Sequence, residues 1–184
     1  MSEPSSNLVL MGLRGSGKST IARMLAKRTA RISVDLDFFS PQFLNAESPA
    51  DALTRFGEAA FRDAELKALE KTLARFRIVL ALGGGTPTHA PSREKLVAAQ
   101  REGRAYVVYL RASASTLRDR LISTDLSSRP ALLGGDDPLG EIEALLEKRD
   151  ALYLALADET VECDGLDAEQ VVERVLEVWR AGGS

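Results

Sequence analysis

One eight-residue stretch limits this chain more than any other: Gly12-Leu13-Arg14-Gly15-Ser16-Gly17-Lys18-Ser19. Its spacing, Gly-x-x-x-x-Gly-Lys-Ser, is that of a Walker A loop. The apolar run Leu8 to Met11 precedes it, and a helical pattern, Lys18 to Arg28, follows. A strand, a glycine-rich turn and a helix start are what a phosphate cradle requires. Glycines let several backbone N–H groups turn towards one anion, and the helix N-terminus adds a favourable field. Lys18 can neutralise β- and γ-phosphate oxygens. The Ser19 hydroxyl can ligate Mg²⁺, an ion that normally keeps waters as well. Gly12, Gly15, Ser16, Gly17, Lys18, Ser19 and Thr20 are therefore the candidate contacts to a nucleoside triphosphate.

Short apolar runs alternate with longer amphipathic stretches along the rest of the chain, which reads as α/β with a mostly parallel sheet. The expected strands are Leu8 to Met11, Ile32 to Asp35, Ile78 to Leu82, Ala105 to Leu110 and Thr160 to Cys163. Most are apolar throughout, as strands buried on both faces are. The expected helices are Lys18 to Arg28, Gly57 to Arg75, Ser92 to Gln100, Ser115 to Ile122, Leu139 to Ala155 and Asp167 to Arg180. The last of these opens with Asp167 and Gln170, three apart as in a capping box. Two segments interrupt the alternation. Phe38 to Phe56 carries Pro41 and Pro49 and has weak periodicity, and Ser123 to Pro138 is rich in Ser, Gly, Asp and Pro. Long irregular segments in compact domains are often lids or binding loops. Both are read as insertions on one domain spanning 1–184: a substrate-binding segment over about 38–75 and a lid over about 123–138.

The formal net charge of −3 over 184 residues argues against wholesale nucleic-acid binding, which shows as a strongly basic domain. Cys163 is the only cysteine, so neither an intramolecular disulfide nor a cysteine-rich zinc site can form. The start, Met1 to Asn7, is polar without a basic run, and Leu8 to Met11 is too short for a signal-peptide core or a membrane span. The expectation is a cytoplasmic protein without a membrane partner.

A Walker A loop specifies phosphates and leaves the second substrate open. Further motifs narrow it: Val34-Asp35-Leu36-Asp37, Gly57-Glu58-x-x-Phe61-Arg62, Leu82-Gly83-Gly84-Gly85, Arg129-Pro130-Ala131-Leu132, and Glu147-Lys148-Arg149-x-x-x-Tyr153. In order and spacing the set resembles the shikimate kinase family, from Leu8 to about Trp179. The resemblance implies a three-layer P-loop kinase fold of the nucleoside-monophosphate-kinase type. Its sheet has five parallel strands, with a substrate-binding segment and a mobile lid. It also implies a monomer that moves the γ-phosphoryl of ATP to the 3-hydroxyl of shikimate, with Mg²⁺.

The residues make chemical sense for that reaction. Alternation along an extended chain puts Asp35 and Asp37 on one side, facing the phosphate loop. By resemblance Asp37 orients the attacking hydroxyl and Asp35 positions Mg²⁺ through water; an aspartate that merely caps a strand-end turn is the plainer alternative. Arg62 and Arg149 are the candidates for the acceptor carboxylate, since a guanidinium matches a carboxylate bidentately. Glu58, four residues before Arg62, can hold it in one rotamer. Gly83, Gly84 and Gly85 let backbone approach the substrate closely. Arg129 resembles a lid arginine that neutralises the transferring phosphoryl group. Arg120 resembles the arginine that packs on adenine, with Arg118 a nearby competitor and the loop Asp164-Gly165-Leu166 on the base's other side.

The chain departs from the family pattern after Asp37. Phe38-Phe39-Ser40-Pro41-Gln42-Phe43-Leu44 replaces the usual amphipathic helix start, with Pro49 at a position commonly apolar and Leu53 where phenylalanine is expected. The alternatives are accordingly a related kinase with another hydroxylated carboxylate acceptor, or a non-catalytic ligand-sensing domain. His89 is read as a solvent-exposed loop residue, Cys163 as a small buried hydrophobe and Trp179 as packing. Arg101 to Arg104 is read as a helix end and turn.

Overall fold

The computed structural model describes residues 4–122 and 140–183. Five strands, β1 (Asn7–Met11), β2 (Ile32–Asp35), β3 (Ile78–Ala81), β4 (Ala105–Arg111) and β5 (Glu159–Glu162), form one sheet in the order β2-β3-β1-β4-β5. Every pairing is parallel. The helices are α1 (Lys18–Arg28), α2 (Leu36–Phe39), α3 (Pro49–Leu73), α4 (Ala90–Arg101), α5 (Ala114–Ile122), α6 (Glu141–Leu156) and α7 (Ala168–Gly182).

The strands at the centre are apolar because helices cover both faces of a parallel sheet. Leu8, Val9, Leu10, Ile78, Val79, Leu80, Val107 and Val108 are all fully buried. Asn7 is the polar exception within β1. Its side chain donates to Arg75 O at 2.7 Å and accepts from Ile78 N at 2.9 Å, so it pins the start of β3 beside β1. Parallel pairing has one consequence for function. The carboxyl ends of β1, β2 and β3 lie at the same edge of the sheet, where open α/β sheets bind ligands.

The segment before Gly57 is not irregular, as its weak periodicity suggested. It contains α2, a 3₁₀ turn (Ser40–Leu44) and the first turns of α3. Pro49 opens α3 instead of breaking it, because a proline at the first helical position lacks only an N–H that would be unpaired there. Ser48 caps this start, accepting from Asp51 N at 3.1 Å. Gly57, at φ 80° and ψ 170°, then interrupts α3. That conformation is open to glycine and strained for any residue with a Cβ. The expected start at Gly57 thus marks the second of two helices that meet at a kink.

The last helix, α7, begins with the full capping box: Gln170 N donates to Asp167 Oδ1 and Asp167 N to Gln170 Oε1, both at 2.9 Å. Val171, Val172, Val175, Leu176 and Trp179 are its buried face, and Trp179 is wholly buried with Arg31 stacked on it. Cys163 is buried just after β5. Arg101 ends α4, with Gly103 in the turn that follows. His89 is half-buried at the start of α4, with Nδ1 2.9 Å from Ser92 Oγ. A serine one helical turn on is its partner, which the Pro-flanked sequence did not reveal. The proposed lid and Arg129 lie outside the described residues.

Candidate active site

A cleft of about 440 Å³ opens at the carboxyl edge of the sheet. The phosphate loop contributes Gly15, Gly17, Lys18, Ser19 and Thr20 to its lining. Gly12 and Ser16 lie behind that lining: Ser16 is buried, and a Cβ on Gly12 would meet Leu110 O and Ser16 Oγ at 2.7 Å. Lys18 is buried within the loop, its Nζ 3.0 Å from Leu13 O and 3.5 Å from Ser16 Oγ. The loop's own backbone and Ser16 therefore hold the lysine at the cleft wall.

Asp35 and Asp37 both line the cleft, but the reason differs from strand alternation. β2 stops at Asp35 and the chain turns at once into α2. Asp35 is the N-cap of that helix, with Oδ1 accepting from Asp37 N at 2.9 Å. Its second oxygen, Oδ2, is buried and has no hydrogen-bond partner among the described residues. A buried carboxylate oxygen without a partner is costly unless something binds it. One oxygen of the side chain thus caps α2, and the other is left open beside the cleft. Asp37 sits in the first turn of α2 and is exposed to the cleft.

Arg62 lines the cleft from α3, 18% exposed. Glu58 reaches it at 3.3 Å but is 74% exposed, so it is the weaker clamp. The decisive partner is Glu65, 2% exposed, which pairs with the other guanidinium nitrogen. Burial works against the charge of Arg62, yet Glu65 and then Glu58 outweigh it and leave the pKa above its ordinary value. Glu65 also accepts from Thr86 Oγ1 at 2.8 Å. Sequence reasoning missed both Glu65 and Thr86. The available signal was position: Glu65 falls among Phe61, Ala64, Ala68 and Leu69 on the apolar stripe of a helix, where an unpaired carboxylate would not survive.

The glycine turn makes room mainly for protein side chains. A Cβ on Gly83 would lie 2.6 Å from Glu65 Oε1 and 3.0 Å from Asp37 Oδ1, and one on Gly85 only 2.6 Å from Arg62 Nη2. Gly84 and Gly85 line the cleft; Gly83 lies behind them. The carbonyl of Gly84 accepts from Arg149 Nη1 at 3.0 Å and from Tyr153 Oη. Tyr153 is fully buried, and burial raises its pKa, which keeps the hydroxyl protonated as a donor. Arg149 and Tyr153 are one turn apart on α6, so the late arginine motif meets the glycine turn directly.

Arg120 of α5 also lines the cleft and donates to Cys163 O at 3.0 Å and Leu166 O at 3.3 Å. Arg118 points elsewhere and pairs with Glu143 of α6 at 2.9 Å. The two competing arginines are therefore distinguished by geometry, and Arg120 is the one beside the Asp164-Gly165-Leu166 loop. Asp164 is fixed by Thr116 and by Ser113, whose N–H and hydroxyl reach it at 3.0 and 3.1 Å; these bonds hold its pKa below the ordinary carboxylate value.

A phosphate loop, a carboxylate pair and two arginines around one cleft describe a phosphotransferase with an acidic acceptor. The sequence profile of shikimate kinases, described as "SKI: Shikimate kinase", matches residues 14–180. The chain belongs to the shikimate kinase family. A shikimate kinase of Symbiobacterium thermophilum is 36% identical over 180 residues, covering 96% of this chain and 98% of that protein. One from Oleidesulfovibrio alaskensis is 38% identical over 178 residues, with 96% and 98% covered. Among solved structures, the shikimate kinase from Acinetobacter baumannii in complex with shikimate superposes with a TM-score of 0.84 at 31% identity, covering 98% of this chain and 94% of that one. Like these relatives, this shikimate kinase is an ATP-dependent kinase, and its parallel sheet is the family's P-loop kinase architecture.

Proposed function

We propose that this enzyme transfers the γ-phosphoryl group of ATP to the 3-hydroxyl of shikimate, giving shikimate 3-phosphate and ADP. The observation that carries the proposal is the convergence of Lys18, Asp37, Arg62 and Arg149 on one cleft. The phosphate loop, from Gly12 to Thr20, holds the triphosphate, and Arg120 supports the base. Lys18 neutralises charge that builds on the β- and γ-oxygens. Arg62 and Arg149 take the acceptor carboxylate, which turns a ring hydroxyl towards Asp37. Asp37 accepts the hydroxyl proton as the oxygen attacks phosphorus and the bond to the ADP oxygen breaks. Arg129 fits the role of a lid arginine that covers the transferring group.

Mg²⁺ fits the residues present. Among the described residues no three His, Cys, Asp or Glu side chains cluster to bind a metal by themselves. The unpartnered Asp35 Oδ2 and the Ser19 hydroxyl instead suit an ion that keeps waters and takes phosphate oxygens. Held beside Asp35 and Ser19, the ion would supply positive charge that offsets the charge building on the transferring phosphoryl group. The reading is completed by a monomer acting in the cytoplasm as one domain. No helix among the described residues is long and apolar enough to cross a membrane.

The test follows ADP release with ATP and Mg²⁺ beside shikimate, quinate, gluconate or no acceptor. Turnover confined to shikimate is expected. Turnover only with another acceptor would assign the altered segment from Phe38 to Leu53 to a different substrate.

A further inference from the structure

Phe38 is 73% exposed, and among the described residues it makes no ring or cation contact. Its surroundings make this unusual. In α2, Leu36 and Phe39 are three apart and share a face. Leu36 is fully buried, and Phe39 packs against the core and sits edge-on to Phe43 at 5.3 Å. The fold has therefore satisfied the apolar demand of this turn without Phe38. Phe38 follows Asp37 directly and lines the cleft with it, together with Pro49, Leu53 and Phe61.

We infer that Phe38 is an acceptor-specificity residue, whose ring closes over the apolar face of the bound acid. The inference rests on the proposed acceptor reading. A ring with one carboxylate and several hydroxyls is polar at its rim and apolar on its faces. Arg62, Arg149 and Asp37 supply contacts for the rim. An aromatic face beside Asp37 supplies what they cannot, and it gains burial only when the acceptor is present. A cyclohexene ring, planar around its double bond and with C–H groups on its faces, fits such a surface better than an open-chain polyol, whose hydroxyls would meet the aromatic face unpaired. The side chain thus favours the cyclic acid and penalises linear competitors.

The test begins with the wild-type enzyme and shikimate. Absence of turnover there sinks the acceptor reading itself, whatever Phe38 does. With turnover established, Phe38→Ala should raise the shikimate KM roughly tenfold, since most of an aromatic side chain's burial is lost. The ATP KM and the thermal midpoint should stay as in wild type, because an exposed side chain contributes little to folding. A shikimate KM within twofold of wild type overturns the inference, as does a matching rise in the ATP KM. A second readout does not depend on turnover. In Phe38→Trp, shikimate should blue-shift the emission of the new indole, while the native Trp179 stays buried and constant. An unshifted spectrum at saturating shikimate would also overturn it.

Discussion

Glu65 and Arg62 stand one turn apart on α3, and the carboxylate is the more deeply buried of the two. The pair lies under the glycine turn, which has no side chains because the pair occupies the space. Replacing Glu65 by Gln keeps the shape and a partner for Thr86 but removes the charge opposite a half-buried guanidinium. Stability should fall by about 2 kcal/mol, in the range for losing a charged hydrogen bond. The shikimate KM should rise and the ATP KM should not, because Arg62 loses its fixed rotamer. Urea unfolding and initial-rate kinetics check both halves; equal changes in the two KM values would contradict the assignment.

Gly85→Ala approaches the same guanidinium from the other side. The new methyl would sit 2.6 Å from Arg62 Nη2, and two glutamates keep the guanidinium from retreating. The expected result is weakened shikimate binding and a stability loss of about 1–3 kcal/mol from overpacking. Gly84→Ala separates the two effects: its methyl would meet no protein atom closer than Arg14 N at 3.7 Å, so it should leave stability near that of wild type while still facing the cleft. Urea unfolding of both variants distinguishes them, and equal stability losses would contradict the overpacking of Arg62.

Asp37→Asn should lower kcat by about a hundredfold or more, the usual scale for losing a proton acceptor. The ATP KM should stay near normal, because the phosphate loop is untouched. Lys18→Met should instead impair nucleotide use itself. If Asp37→Asn retains full kcat, the acceptor hydroxyl is oriented by another group.

Asp150 supplies a pH prediction. Arg111 reaches it through Nε at 2.8 Å and Nη2 at 2.9 Å, and Tyr109 Oη donates at 2.8 Å. The Arg111 bonds hold its pKa below the ordinary carboxylate value of 3.8, with burial opposing and Tyr109 helping. A carboxyl whose pKa is lower folded than unfolded stabilises fully above the unfolded value, and loses that contribution as pH falls through the folded one. Asp150→Asn should therefore cost about 1 kcal/mol at neutral pH, discounted for partial exposure. The gap from wild type should close as acid protonates the native carboxyl. A gap that stays constant from neutral pH to pH 3 would assign the effect to shape and not to charge.

The sheet, the phosphate loop and most helices were legible because their signals are local. Apolar runs, the loop spacing and the Asp167–Gln170 cap each act within a few residues. Four features were not legible for a common reason. The two-oxygen role of Asp35 depends on where β2 stops, which four residues of strand pattern do not define. The helix ahead of Gly57 is set by the Ser48 cap and by packing, and these override its weak periodicity. The importance of Glu65 over Glu58 is a matter of burial, and both are carboxylates within a turn of Arg62. The choice of Arg120 over Arg118 likewise needed the β5–α7 loop, more than forty residues away in the chain.

The strand order carries a consequence for how the protein is made. β1 leaves the ribosome well before its sheet partners, β3 and β4. Its five residues, all buried in the finished protein, have no neighbour to pair with until residues 78–111 have been synthesised. The nascent phosphate loop is therefore unsupported on both sides until those strands have emerged. Domains generally fold as units, and apolar segments exposed before then are prone to aggregate. Nucleotide capture by the emerging chain must therefore wait for β4, although the loop that recognises the phosphates is made long before it.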